Sequence, residues 1–354
     1  MNGYRLLLPL LIIAAIIAGC AGPKTEGVVV NDALVEAEAK KQRQIALESL
    51  LNDQIHLEQV AYPIQVAGSP FCGDAVKPAM GFYFANKYAV PKDFHDAAVS
   101  LYDMGEPLQV THVIPGSPAG KAGIQENDIL VALNGEKMPV GKTAVKEAVE
   151  LMEDQLKSGE SVTLTVLRGE TEKDFSLVPE DACDYPVFLN TSDQVNAMAD
   201  GSKIIIARGM MRFADNDQEL GMVISHELAH NAMAHMKALK QNYMLGSIFD
   251  IVAMVYGINT QGIFGKLGAR RYSKEFEAEA DYVSLYIMAR AGLPIDDAPQ
   301  FWRRMATAHP GSIEANHASS HPSTPERFVA LEKTIEEIRE KEASGRPLEP
   351  EYKK

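Results

Sequence analysis

The sequence predicts an α+β protein, a mainly helical domain with a small edge sheet interrupted by an inserted, partly open β-barrel of about a hundred residues. Three observations lead there. Apolar residues recur at helical spacing over 32–60 and again in long stretches beyond Cys183. Between about 78 and 180 the texture changes to short alternating runs separated by turn signals. An apolar helix near residue 226 carries two histidines and a glutamate, which are costly to bury unless a metal or hydrogen bonds satisfy them.

The length of 354 residues accommodates such a two-part plan. With 46% hydrophobic and 23% charged residues, neither a disordered chain nor a multi-span membrane protein is favoured. A net charge of -14 removes nucleic acid from the candidate partners, since no basic stripe is available to neutralise phosphates. The same balance argues against tight electrostatic docking on anionic lipid.

At the N-terminus, Arg5 precedes an apolar run from Leu6 to Ile17, too short to span a bilayer and suited to a secretory signal. Ile17-Ala18-Gly19-Cys20 resembles the bacterial lipobox. That resemblance implies a signal peptide over 1–19 and a lipid on Cys20, which would hold the chain on a membrane facing the periplasm. Ala21 in place of aspartate implies the outer membrane of a Gram-negative bacterium. A tether over 20–31 leads to a helix from Asn31 or Asp32 to about Val60, ended by Pro63, within a lead-in segment 32–77. With Cys20 consumed, Cys72 and Cys183 are expected to pair in an oxidising compartment. They stand just outside the β-rich module and would staple its neck.

Within that module, 78–182, the runs Leu108–Val113, Asp128–Leu133 and Ser161–Leu167 read as strands, Asn134-Gly135 as a hairpin turn, and Thr143 to Leu156 as a helix. The order of pieces is similar to that of a PDZ domain. The resemblance rests on Val113-Ile114-Pro115-Gly116-Ser117-Pro118-Ala119, Ala122-Gly123-Ile124, Asn127-Asp128-Ile129-Leu130 and Leu133-Asn134-Gly135. It implies that Met80, Gly81 and Phe82 form the loop whose amides hold a peptide C-terminus. The ligand would add as a strand beside Phe82–Phe84, against the 143–156 helix.

The rest of the chain, 183–345, reads as a strand at Lys203–Ala207 and a helix over Asp217–Lys237. An apolar stretch follows at 243–269, where Asp250 and several glycines oppose spanning, so a buried helical hairpin or a flap over the site is expected. A helix over Ser273–Ala291, ended by Gly292 and Pro294, precedes a last helix from about Thr324 to Ala343 and a charged, frayed tail at 346–354. In His226-Glu227-Leu228-Ala229-His230, residues four apart lie about 40° apart on one helix face, so both imidazoles can reach one metal ion. Glu227, offset by about 100°, is placed to take a proton from an attacking water. His235 lies about 140° from His230 on a continuous helix and does not qualify as third ligand. A carboxylate from the 273–291 helix is the better source. Glu277 and Asp281 share a face there, whereas Glu275 and Glu279 read as first-turn residues favoured by the helix dipole.

Residues 194–327 resemble the gluzincin zinc peptidases that include the CAAX prenyl protease, HtpX and BepA. The elements are Asn196-Ala197-Met198-Ala199, the 226–230 motif, Glu277-Ala278-Glu279-Ala280-Asp281, and His321-Pro322 with Arg327. The resemblance implies one Zn2+ per chain held by His226, His230 and Glu277, with Asp281 orienting a ligand histidine and Glu227 as the base. His321 and Arg327 are implied as possible oxyanion donors, His321 alternatively as a reversible cap on the metal. Ser284 stands where the family often has glycine. Extended substrate would lie along Lys203, Ile204, Ile205 and Ile206 as an edge strand. The expected role is endoproteolysis of unfolded or misassembled envelope proteins, with a chaperone or assembly adaptor of latent activity as the alternative.

Overall fold

A computed structural model of the protein describes residues 24–255, 258–270, 273–308 and 324–352. Two compact units divide the chain after Arg43. In the first, mostly exposed residues lead into α1 (Asp32–Gly68), where Asn31 Oδ1 accepts from the Ala33 amide at 2.8 Å. The second unit begins at Gln44 and holds all the remaining elements.

The stop expected at Pro63 does not occur, because α1 runs through it to Gly68. Proline deletes an amide bond inside a helix and crowds the preceding turn. Here tertiary packing overrides that penalty. Leu57, Val60, Ala61 and Ile64 lie in the main core, and Gln65 Nε2 donates to the Tyr185 carbonyl at 2.8 Å.

β1 (Val76–Ala79) pairs antiparallel with β8 (Glu180–Cys183), with Val76 opposite Cys183. This ribbon is the neck of the β-rich module. Between its strands come β2 (Phe82–Ala85), α2 (His95–Tyr102), β3 (Gln109–Val113), α3 (Pro118–Ala122), β4 (Ile129–Leu133), β5 (Glu136–Lys137), α4 (Ala144–Gln155), β6 (Val162–Arg168) and β7 (Thr171–Leu177). The sheet has the order β2-β3-β4-β6-β7 with β5 on β4, and it does not close into a barrel. Asn134 and Gly135, both at positive φ, make the two-residue turn between β4 and β5, as hairpin twist requires. Leu108, Val110, Leu133, Ala148, Leu164 and Val166 fill a separate core. A disulfide joins Cys72 to Cys183, Cα to Cα 5.7 Å, across the base of the neck.

The main domain continues with β9 (Val187–Asn190), β10 (Ala197–Ala199) and β11 (Ile204–Ala207), then α5 (Arg208–Phe213), α6 (Asp217–Ala232), α7 (His235–Val255), α8 (Ile263–Arg270), α9 (Ser273–Arg290), α10 (Ala298–Ala308) and α11 (Pro325–Ser344). The expectation of an edge strand at Lys203–Ala207 is corrected. β11 is central, antiparallel to β10 on one side and parallel to β9 on the other, so Ile204, Ile205 and Ile206 offer no free edge. Lys203 precedes the strand. The outer strands are β10 and β9.

α6 and α9 pack through the centre of the core, with Met222, Ile224 and Leu228 against Val283, Tyr286 and Ile287. At Gly221 a Cβ would stand 3.1 Å from Leu293 and 3.4 Å from Ile64, so α1 and α6 approach closely there. The single helix expected over 217–237 is instead two. α6 ends at Ala232, Ala234 adopts a left-handed conformation (φ 55°), and α7 starts afresh at His235. The 243–269 stretch forms the α7–α8 hairpin but is not buried, since most of its large apolar side chains are exposed. No helix among the described residues is long and apolar enough to cross a membrane. Nor is the tail frayed over its described part. Lys341 Nζ donates to the Glu349 carbonyl at 2.6 Å, and the Glu351 amide donates to Tyr282 Oη at 3.0 Å.

Candidate metal centre

α6 begins cleanly, with Asn216 Oδ1 accepting from the Glu219 amide at 3.0 Å, and then runs buried from Leu220 to Asn231. That burial carries His226, Glu227 and His230 into the interior together. α9 crosses it and presents Glu277 to both imidazoles. His226 Nε2 and His230 Nε2 are 3.1 Å apart. Glu277 Oε2 lies 3.4 Å from the first, and Glu277 Oε1 lies 3.3 Å from the second. Tetrahedral zinc with bonds of about 2.0–2.1 Å separates its ligand atoms by roughly 3.3 Å. The two imidazole nitrogens lie near that spacing, each lies at about that distance from one Glu277 oxygen, and two imidazoles with one carboxylate are a set that zinc takes.

Behind these donors lies a buried ionic layer. Asp281 Oδ1 is 3.0 Å from His226 Nδ1. Arg327 from α11 clamps Asp281 with both Nε and Nη2, the latter at 2.8 Å, and its Nη1 is 3.6 Å from Glu277. Burial alone would push the Asp281 carboxyl up, but Arg327 and His226 hold it below the usual carboxylate range. Burial works against a charged His226 too. Its carboxylate neighbours Asp281 and Glu277 outweigh burial and push it up to about 9. At His230, burial prevails and lowers the value. Arg327 thus lies against Asp281 and Trp302, whose ring is 4.8 Å from the guanidinium carbon and 5.0 Å from the His226 ring. His321, the other residue implied for oxyanion contact, lies outside the described residues. Ser284 is buried, and its hydroxyl donates to the Asp281 carbonyl of its own helix.

His235, set aside on helical geometry, is drawn to the centre by the break at Ala234. Its Nδ1 lies 2.9 Å from His230 Nδ1, and its Nε2 is 2.8 Å from Glu279 Oε2. Its ring stacks on Phe276 at 4.6 Å. Glu279, read as a dipole-favoured residue, is therefore the far end of this chain of contacts, while Glu275 is exposed. No glycine signals the break, so only the fold reveals these two residues. Asn231, next to His230, donates to the Lys203 carbonyl at 3.1 Å and accepts from the Gly201 amide at 2.8 Å. These bonds pin the β10–β11 turn beside the centre.

The loop at Met80, Gly81 and Phe82 lies far along the chain, at the edge of the six-stranded sheet. Gly81 has φ 75°, and a Cβ there would fall 2.2 Å from Ser117 Cβ. Its carbonyl accepts from the Ile114 amide at 2.8 Å and from Ser117 Oγ at 3.1 Å. A cavity of about 510 Å³ opens beside β2, lined by Met80, Phe82, Val149 and Met152 together with Glu58 of α1 and Phe188 of β9. Glu58 also lies 3.0 Å from the buried His112 of β3, a link across the two domains that the sequence did not suggest.

Such a centre, on crossed buried helices with a glutamate between the histidines, defines the zinc metallopeptidases. Comparison with known proteins agrees for both parts of the chain. Residues 174–335 match the model for peptidase family M48, and 109–168 match that for a PDZ domain. The main domain is thus similar to peptidase family M48, and the inserted module to a PDZ domain. Among curated relatives, the mitochondrial metalloendopeptidase OMA1 of Saccharomyces cerevisiae is 27% identical over 149 residues, 40% of this chain and 43% of that one. Metalloprotease YcaL of Escherichia coli K12 is 27% identical over 170 residues, 46% of this chain and 63% of its own. The β-barrel assembly-enhancing protease of Yersinia pestis is 27% identical over 138 residues, 34% and 28% of the two chains. The matches thus span less than two thirds of each of these relatives.

Proposed function

We propose that the protein is a zinc-dependent endopeptidase, with one Zn2+ per chain, that hydrolyses peptide bonds of unfolded or misassembled envelope proteins. The observation that carries this reading is the buried convergence of His226, His230 and Glu277, with Glu227 on the helix of the two histidines. Those three residues would hold the zinc, which when bound polarises a carbonyl and acidifies water. Glu227 takes the proton of the attacking water and passes it to the leaving amine. Asp281 holds His226 in the tautomer that leaves Nε2 free, and Arg327 holds Asp281. An extended substrate adds to the open edge of β10, beside the turn that Asn231 pins.

The PDZ domain, inserted over 78–182 between the lead-in 32–77 and the main body 183–345, receives C-termini of substrates or partners along β2. The loop of Met80, Gly81 and Phe82 and the adjoining apolar cavity support that assignment. A signal peptide over 1–19 and a lipid on Cys20, followed by a tether to residue 31, would hold the enzyme at the periplasmic face of the outer membrane. The similarity to a bacterial protease named for β-barrel assembly supports envelope substrates.

The test compares wild type with Glu227→Gln on an unfolded protein substrate. Cleavage by wild type alone, abolished by chelator and restored by zinc, is the expected result. If both proteins bind zinc and neither cleaves, the adaptor reading replaces this one.

A further inference from the structure

Beyond His235, the α7–α8 hairpin has no role in the chemistry just described, yet among the described residues it carries a dense group of exposed large apolar side chains. Leu245, Phe249, Met254 and Val255 are 62%, 64%, 69% and 80% exposed, and Ile248 and Ile251 beside them are more than half exposed. A helix apolar around its whole circumference normally lies inside a protein core or in lipid. A contiguous exposed patch of this kind marks an interaction site.

Two further observations identify the occupant. Asp250, the one acidic residue among residues 235–270, is buried, and its Oδ1 accepts from Thr260 Oγ1 and from the Phe264 amide at 3.2 Å. The polar group of the tip is thereby satisfied internally, as entry into a low-dielectric phase requires. The same residues include Lys237, Lys240, Lys266 and Arg270, so the hairpin is locally +3 (four basic minus one acidic) in a chain of net charge -14. Lys237, Lys240 and Lys266 are exposed. This charge is complementary to anionic headgroups and opposes pairing with the hairpin of a second copy.

We propose that the α7–α8 hairpin is a membrane-contacting element, its apolar tip entering the interface of an anionic lipid bilayer and its lysines lying against the headgroups. It lies in the interface and does not cross, because α7 is not apolar enough over a spanning length. The inference goes beyond the proposed proteolysis and does not depend on a lipid at Cys20. The whole-chain charge hides this local excess of the opposite sign. α7 starts at His235, in contact with His230, and its 21 residues reach about 30 Å. The metal centre would therefore work within roughly that distance of the bilayer.

The experiment places a reporter in the tip of the full chain, Phe249→Trp, and subtracts the emission of the single native tryptophan using wild type. Vesicles are phosphatidylcholine alone or mixed with phosphatidylglycerol. Expected is a blue-shifted emission on the mixed vesicles, quenched by lipids brominated on their acyl chains. Half-saturation should need roughly tenfold less lipid on mixed than on neutral vesicles, and the gap should shrink with salt. Met254→Trp gives the same readout should Phe249, which faces Phe264, prove structural. Ile251→Asp with Leu245→Asp in the reporter chain should abolish the shift. Emission that stays water-like while the protein co-sediments with vesicles would overturn the proposal, since the N-terminal segment would then account for binding. A blue shift without lipid that grows with protein concentration would overturn it in favour of self-association.

Discussion

Replacing His235 by phenylalanine isolates the contact that the helix break creates. The ring, its volume and its stacking on Phe276 are retained, while both nitrogens are lost. With His230 Nε2 directed at the metal pocket, His230 Nδ1 carries the proton and donates to His235 Nδ1. His235 in turn carries its proton on Nε2 and donates to Glu279. His235→Phe leaves the buried Nδ1–H of His230 without its acceptor, a cost of about 1–3 kcal/mol. Loss of such an orienting partner weakens metal affinity by roughly 10–100-fold. Glu279 is half-exposed, so Glu279→Gln is expected to cost less than about 1 kcal/mol. The assay is zinc binding against a competing chelator, with turnover measured separately at saturating zinc. Equal zinc affinity for His235→Phe and wild type would refute the argument that His235 fixes His230.

Arg327→Met should leave Asp281 charged and buried without its clamp, lowering stability by about 3–5 kcal/mol in urea unfolding, and Arg327→Lys should recover only part of it. Removing the disulfide by Cys72→Ser with Cys183→Ser opens a closure of 111 residues and should cost about 2–5 kcal/mol, read as a lower unfolding midpoint. Gly81→Ala forces a Cβ onto Ser117 at positive φ, with a local cost of about 1–3 kcal/mol. It should weaken binding of C-terminal peptides in calorimetric titration while zinc binding is unchanged.

The parts of the centre set by local spacing were legible in the chain. His226 and His230 share a face because the helix between them is continuous, and Glu277 and Asp281 share one for the same reason. His235 failed that logic because the residues from Asn231 to Lys240 all suit a helix, and nothing in their propensities announces a left-handed alanine at 234. Tertiary contacts with Phe276 and Glu279 favour the break. Likewise Ile204–Ala207 was legible as a strand, but its place in the sheet depends on which strands take the outer positions, and β10 and β9 took them. Pro63 marks the converse case, in which a strong local stop signal yields to packing at Ile64 and Gln65. The hairpin at 243–269 was recognised as apolar, but its exposure was not legible, because that depends on how elements distant in sequence pack.

The neck at Val76 and Cys183 also sets an order of events during synthesis. The six-stranded sheet is built largely from strands adjacent in sequence, such as β6 with β7, so it can close as soon as its last strand emerges. α1 is made earlier but must wait longer, because the surfaces that cover Leu57, Val60 and Ile64 come from α6 and α9. A nascent chain therefore completes the guest while the first segment of the host still faces water. A polypeptide interrupted before Asp217 would present a finished β-rich module with none of the candidate metal ligands yet made.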